Sequence, residues 1–140
     1  MGLLEHVRPF SRGNEASRNA LATVARRRVG ANGERFWRAG EPALDFSFVR
    51  RGLVKLVRPR SGGRSDIVGI FGPGEAIGVV AAMRGDAYPV DAVAATDEVE
   101  IVQIPRGDVI AAARHDAELA LALAETCADR AVRLGDMHAV

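Results

Sequence analysis

Apolar and polar residues along this chain follow two periods, and the changes between them mark its organisation. From Ser17 to Arg28, Leu21, Val24 and Ala25 recur at helical spacing while Arg18, Arg26 and Arg27 fall elsewhere, predicting an amphipathic helix that packs on the next part of the chain. Arg26-Arg27-Arg28 would then end that helix as a solvated, dipole-favoured basic cap; phosphate binding is the sharper reading of the same triplet. From Gly33 to Pro105 the period shortens to that of strands. Gly40, Gly52, Gly62-Gly63 and Gly74 punctuate this region roughly every eleven residues, as in sandwiches and barrels. Phe46 and Phe48 alternate with Ser47, and Lys55 interrupts Leu53, Val54, Leu56 and Val57. Arg60-Ser61-Gly62-Gly63-Arg64 reads as a hairpin turn into Ile67–Phe71. Val90–Ala94 and Val99–Ile104 form a second pair, joined at Thr96-Asp97-Glu98.

Beyond Pro105 the helical period returns. Pro105 opens a short helix through Ala113, and Asp116 is placed to cap a longer one from about Ala117 to Leu134. Leu119, Leu123, Cys127, Ala131 and Leu134 form a narrow stripe on it, the pattern of a helix–helix seam between two copies. Packing on the chain's own barrel is the competing reading. Ala124, Ala128 and Ala131 would allow close approach, with Arg130 pairing Glu125 or Asp129 at the rim.

Composition narrows the possible functions. With 140 residues, 48% hydrophobic and 26% charged, the chain has the balance of one globular domain. Aromatics are only 5%, so aliphatic side chains must build the core. A net charge of +1 provides no global attraction for nucleic acid or an anionic membrane. Cys127 is the only cysteine, which rules out an internal disulfide and a cysteine-ligated cluster within one chain. No apolar run reaches the ~18 residues of a membrane span, and Met1–Phe10 lacks a signal-peptide core, so the chain reads as cytoplasmic.

Phe71–Pro105 carries the most chemical information. A glycine-rich turn leads into the apolar stretch Ala76–Met83, which breaks at Arg84-Gly85-Asp86. Gly74 and Gly78 flank a tight passage. A short helix between strands there would present backbone N–H groups to a concave surface. The candidate cradle is Gly74, Glu75, Ile77, Gly78, Val79, Val80, Arg84, Tyr88 and Pro89.

Helix, eight-strand jelly roll and long terminal helix together resemble the effector domain of the CRP/FNR family of bacterial transcription regulators, within the cyclic-nucleotide-binding fold. The carriers are Gly40-Glu41, Val49-Arg50-Arg51-Gly52-Leu53-Val54-Lys55-Leu56, Gly62-Gly63-Arg64, Pro73-Gly74-Glu75 with Gly78, and Ile104-Pro105. Their order and spacing cover the chain from about Asn19 to Leu134. The resemblance implies a double-stranded β-helix (jelly-roll) barrel, mainly β with flanking helices. It sets an N-terminal segment at 1–16, the jelly roll with flanking helices at 17–113 and a dimerisation helix at 114–140. It also implies a homodimer and a small-molecule effector.

The chain departs from that family in two respects. No helix-turn-helix pattern follows the terminal helix, so this chain is expected not to bind DNA itself, and an end at Val140, near the usual domain boundary, suits a fragment of a longer regulator. In addition, relatives hold the cyclic nucleotide with a Gly-Glu pair that accepts from the ribose and an Arg-Ser or Arg-Thr pair that clamps the phosphate. Threading places Gly78-Val79 and Tyr88-Pro89 at those pairs. Valine accepts no hydrogen bond, and proline has neither hydroxyl nor N–H. Arg84 is near enough to substitute, but in an Arg-Gly-Asp turn it is more simply solvated. Glu75 belongs to the preceding turn.

Relatives with apolar cradles include sensors of oxygen, nitric oxide or redox state. The lack of cysteines before Ser17 excludes the iron–sulfur type. Haem would need an axial nitrogen from His6, His115 or His138, more simply surface residues. These residues specify no particular cofactor. A bland alternative is that Ile77, Val79, Val80 and Tyr88 simply fill the barrel. Cupin-type catalysis needs several histidines on the strands, and Gly33–Pro105 has none, so the chain is not expected to be an enzyme. The chain therefore reads as the sensory and dimerising domain of a CRP/FNR-like regulator with a degenerate cradle. The alternative is a stand-alone module of the same fold binding a nucleotide or another small ligand.

Overall fold

The structure, a computed structural model, describes residues 2–138, with side chains described as far as Arg130. Eight strands form two four-stranded antiparallel sheets. The first has the order β1 (Arg26–Ala31), β8 (Glu98–Pro105), β3 (Asp45–Arg51), β6 (Ala76–Ile77). The second runs β2 (Arg35–Trp37), β7 (Asp91–Ala94), β4 (Val54–Pro59), β5 (Ser65–Phe71). Among the described residues, four α-helices flank this jelly roll: α1 (Glu15–Val24), α2 (Val79–Arg84), α3 (Arg106–Arg114) and α4 (Ala117–His138).

The two faces of the first sheet do different work. Phe46 and Phe48 pair with Ile104 and Val102, and both rings meet Phe10, at centroid distances of 6.3 and 6.2 Å. That face therefore packs against the helical layer. Ser47 and Val49, one residue out of step, pair with Gln103 and Ile101 on the barrel side. All of these residues are buried.

The N-terminal segment is part of this core. Leu4, Val7 and Phe10 are buried with Leu21, Leu119 and Leu123. Asp116 ties the segment down. Its carboxylate accepts from the Asn14 N–H at 2.8 Å, the Ser17 hydroxyl at 2.7 Å and the Leu119 N–H at 3.1 Å, so it also caps α4. The Asn14 N–H is the main influence holding its pKa below the ordinary carboxylate range, against the opposing effect of burial. Arg12 adds ion pairs to Glu118 and Glu125.

One predicted element changes identity. The helix expected to reach Arg28 ends at Val24, and Arg26-Arg27-Arg28 opens strand β1, paired residue for residue with β8. Ladder pairing at the sheet edge overrides the helical tendency of the arginines. The triplet is therefore not a helix cap: Arg26 pairs with Asp45, and Arg28 donates to the Phe36 carbonyl at 2.8 Å.

Candidate ligand cradle

The cradle runs from the turn ahead of β6 to the approach to β7. Gly78 takes the left-handed conformation, with φ +67°, and α2 follows directly from it. A Cβ at this position would lie 2.8 Å from Tyr88 Cε1 and 3.0 Å from Trp37 Cζ2, so both backbone angle and crowding demand glycine. Those neighbouring rings define the site. Tyr88 stacks on Trp37 with centroids 3.9 Å apart and planes 6° from parallel. The indole N–H donates to the Val90 carbonyl at 3.0 Å. The phenol oxygen lies 3.4 Å from the Asp45 carbonyl, near the Ser47–Gln103 side-chain pair (3.2 Å) on the barrel side of β3 and β8. Burial, reinforced by the charge of Asp45, pushes the Tyr88 pKa up to about 12.

The expected cradle residues thus separate into three groups. Ile77, Val79 and Tyr88 are buried together in the core, and Val80 packs against it. Gly74 and Glu75 form the preceding turn, where Glu75 accepts from the Gly72 N–H at 2.9 Å. Arg84 and Pro89 are exposed, and Arg84 pairs with Asp86 at 2.9 Å across the Arg-Gly-Asp turn. No acidic side chain occupies the position after Gly78, and no basic one occupies position 88.

Two arginines brace this region: Arg106, to which sequence reasoning assigned no role, and Arg130, expected at a helix rim. Arg106 donates to the Ala82 carbonyl at 2.6 Å and the Met83 carbonyl at 3.2 Å, satisfying the C-terminal end of α2. Arg130 of α4 donates to the Ala76 carbonyl at 2.8 Å and lies 4.4 Å over the Phe71 ring. Within the chain Arg130 makes this inward contact, and Glu125 binds Arg12. The Cys127 thiol approaches the Val79 carbonyl at 4.0 Å, and burial raises its pKa.

The proposed seam also changes. Leu119 and Leu123 are both 0% exposed within a single chain, and Cys127 packs on the same core. This part of the stripe faces α2, α3 and the Phe10–Arg12 turn, so it is unavailable to a second copy. Ala131 and Leu134 have side chains outside the described residues. The exposed apolar line on α4 is instead Ala117, Leu121, Ala124 and Ala128, with Leu121 50% exposed. His6 and His115 are exposed, the His6 carbonyl lying beside Gly74, and the side chain of His138 lies outside the described residues. Among the described residues, no group of three or more His, Cys, Asp or Glu could hold a metal ion, and no helix is long and apolar enough to cross a membrane.

A jelly roll with a short helix between β6 and β7 and a long helix after it is the architecture of cyclic-nucleotide-binding domains. The cyclic nucleotide-binding domain family model matches residues 27–116, so the chain belongs to that family. Its structural neighbours include transcription regulators of the CRP/FNR type. The Thermus thermophilus catabolite activator protein is 26% identical with a TM-score of 0.75, the match covering 89% of this chain and 58% of that one. A Ruegeria pomeroyi DSS-3 protein provisionally described as cyclic-nucleotide-binding is 27% identical with a TM-score of 0.76, covering 99% and 61%. The sensor domain of the regulator DNR from Pseudomonas aeruginosa shares the fold at 20% identity and a TM-score of 0.83, covering 96% and 89%. This chain thus spans about three-fifths of the length of the first two. No curated protein sequence matches it.

Proposed function

We propose that this chain is the effector and dimerisation domain of a cytoplasmic CRP/FNR-like transcription regulator whose cradle no longer takes a cyclic nucleotide in the usual way. The observation that carries this reading is the Trp37–Tyr88 stack against Gly78. Tyr88, stacked on Trp37, stands at the position where relatives place the phosphate-clamping arginine, and Val79 stands where they place the ribose acceptor. A phosphate brought there would find Tyr88 in place of the clamping arginine, with the nearby Arg28 held on the Phe36 carbonyl and ring, and a charge taken from water without a partner costs several kcal/mol.

Signal transmission would run through α4. One face of this helix touches the cradle rim through Cys127 and Arg130, while the other presents Leu121, Ala124 and Ala128 to solvent. Any ligand or redox event that shifts α2 or β6 moves a helix whose outer face is suited to a homodimer seam. Two arrangements of that seam would be the states on which an effector acts. The chain acts by binding and association, with no catalytic step and no DNA contact of its own.

The test is calorimetric titration with cyclic AMP and cyclic GMP. Neither should give a saturable micromolar isotherm. Tight binding abolished by Arg84→Ala would overturn the reading and assign the phosphate to Arg84.

A further inference from the structure

The outer face of the β2-β7-β4-β5 sheet carries a second feature, independent of the cradle. Helices α1, α2 and α3 pack on the other sheet, against β3 and β8. Strand β5 is an edge strand, paired only with β4, so its outward N–H and C=O groups have no ladder partner. Edge strands usually carry charge or proline where they face water. This one exposes Ile67 (57%) and Ile70 (58%), and Leu53 (40%), next to Gly72 at the end of β5, is exposed as well.

A bulge places the two isoleucines together. Residues three apart in a regular strand point to opposite faces. Here Lys55 pairs with Ile70 and Val57 with Ile67, leaving Val68 without a partner in β4. Lys55 and Val57 are two apart and share a face, so the extra residue returns Ile67 to the side of Ile70. Bulges re-aim side chains in this way.

Charge identifies the partner. The β4–β5 hairpin contains Lys55, Arg58, Arg60 and Arg64 against a single acid, Asp66. Asp66 is engaged by Arg60 at 2.7 Å. A second copy seated here would set cations against cations. A lipid surface would leave the outward backbone groups of β5 unsatisfied. We infer that β5 is a docking edge for an extended, acidic and aliphatic segment of another protein, added as a further strand with its apolar side chains over Ile67 and Ile70 and its carboxylates toward the hairpin cations.

The probe is a short synthetic peptide alternating glutamate with valine, titrated into the whole chain and followed by backbone amide NMR. Shifts should concentrate on 65–71, with new exchange protection of the outward β5 amides. Ile67→Lys and Ile70→Lys should each weaken binding by roughly tenfold, one aliphatic contact, although both increase the attraction for acid. A peptide of the same composition with its valines grouped should bind at least as poorly. Shifts absent or away from β5, tighter binding by the lysine variants, equal binding of the grouped peptide, or displacement by phosphatidylglycerol vesicles would each overturn the proposal. So would self-association through β5 in light scattering.

Discussion

The phenol of Tyr88 lies flat on the indole of Trp37, 3.9 Å between centroids, and these are the chain's only tyrosine and only tryptophan. Each ring can therefore be followed without interference from another of its kind. In the folded protein Tyr88 should ionise near pH 12, against roughly 10 in the unfolded chain. Because the folded value is the higher, the stabilising contribution is complete below about pH 10 and is lost as pH rises toward 12. Ultraviolet titration of tyrosinate, native and in denaturant, should separate the two curves; coincident curves would place the phenol in solvent.

Gly78→Ala tests the crowding. The left-handed backbone and the 2.8 Å approach to Tyr88 should together lower stability by about 2–3 kcal/mol. The variant's Trp37 emission should shift as the stack is pushed apart. Unchanged stability and emission would mean that the rings yield without cost.

The helix seam has a variant pair that separates two roles for α4. Leu123 is fully buried in its own chain, so Leu123→Glu should unfold the protein by burying an unpaired charge, at a cost of several kcal/mol. Leu121→Glu should remain folded and abolish the self-association proposed for the outer face of α4. Sedimentation across a concentration series, with circular dichroism as the folding control, distinguishes them. A Leu121→Glu protein that still dimerises would place the seam elsewhere.

Acid should loosen the N-terminal segment. Asp116 has its folded pKa below the unfolded value, held there chiefly by the Asn14 N–H. Its contribution is therefore full above roughly pH 4 and is lost as pH falls through the depressed folded value. Asp116→Asn should remove this dependence and lower stability at neutral pH by about 1–2 kcal/mol. Amide exchange around Asn14 and Ser17 should report the change, and an unaltered acid transition in the variant would assign it to other carboxylates.

Much of the barrel was readable because its strands alternate clearly and its turns carry glycines; Gly40, Gly52, Gly62, Gly63 and Gly74 all have positive φ. Gly52 is the strictest of these, since a Cβ there would lie 2.7 Å from the Glu98 carbonyl oxygen. Strand β1 was not readable. Arg26–Ala31 has no alternation of its own, and only its pairing with β8 makes it a strand. Trp37 was overlooked because a three-residue strand shows no period; the β2–β7 register brings it beside Tyr88. On α4, both Leu119–Leu123 and Leu121–Ala124 form apolar lines, and local sequence does not say which turns inward. The partners that decide it, α2, α3 and the Phe10–Arg12 turn, are distant in sequence.

The burial of Leu4, Val7 and Phe10 bears on how this protein can be handled. The family match begins at residue 27 and ends at 116, and a fragment cut to those limits would lose Phe10 and Leu21 at one end and Leu119 and Leu123 at the other. Phe46 and Phe48 would then lose Phe10 and the helices at both ends, leaving a sheet covered only by α2 and α3 and prone to give insoluble material. A fragment that keeps this core therefore extends past residues 27–116 at both ends, and a solubility tag belongs on a spacer ahead of Gly2 rather than fused closely to Leu4.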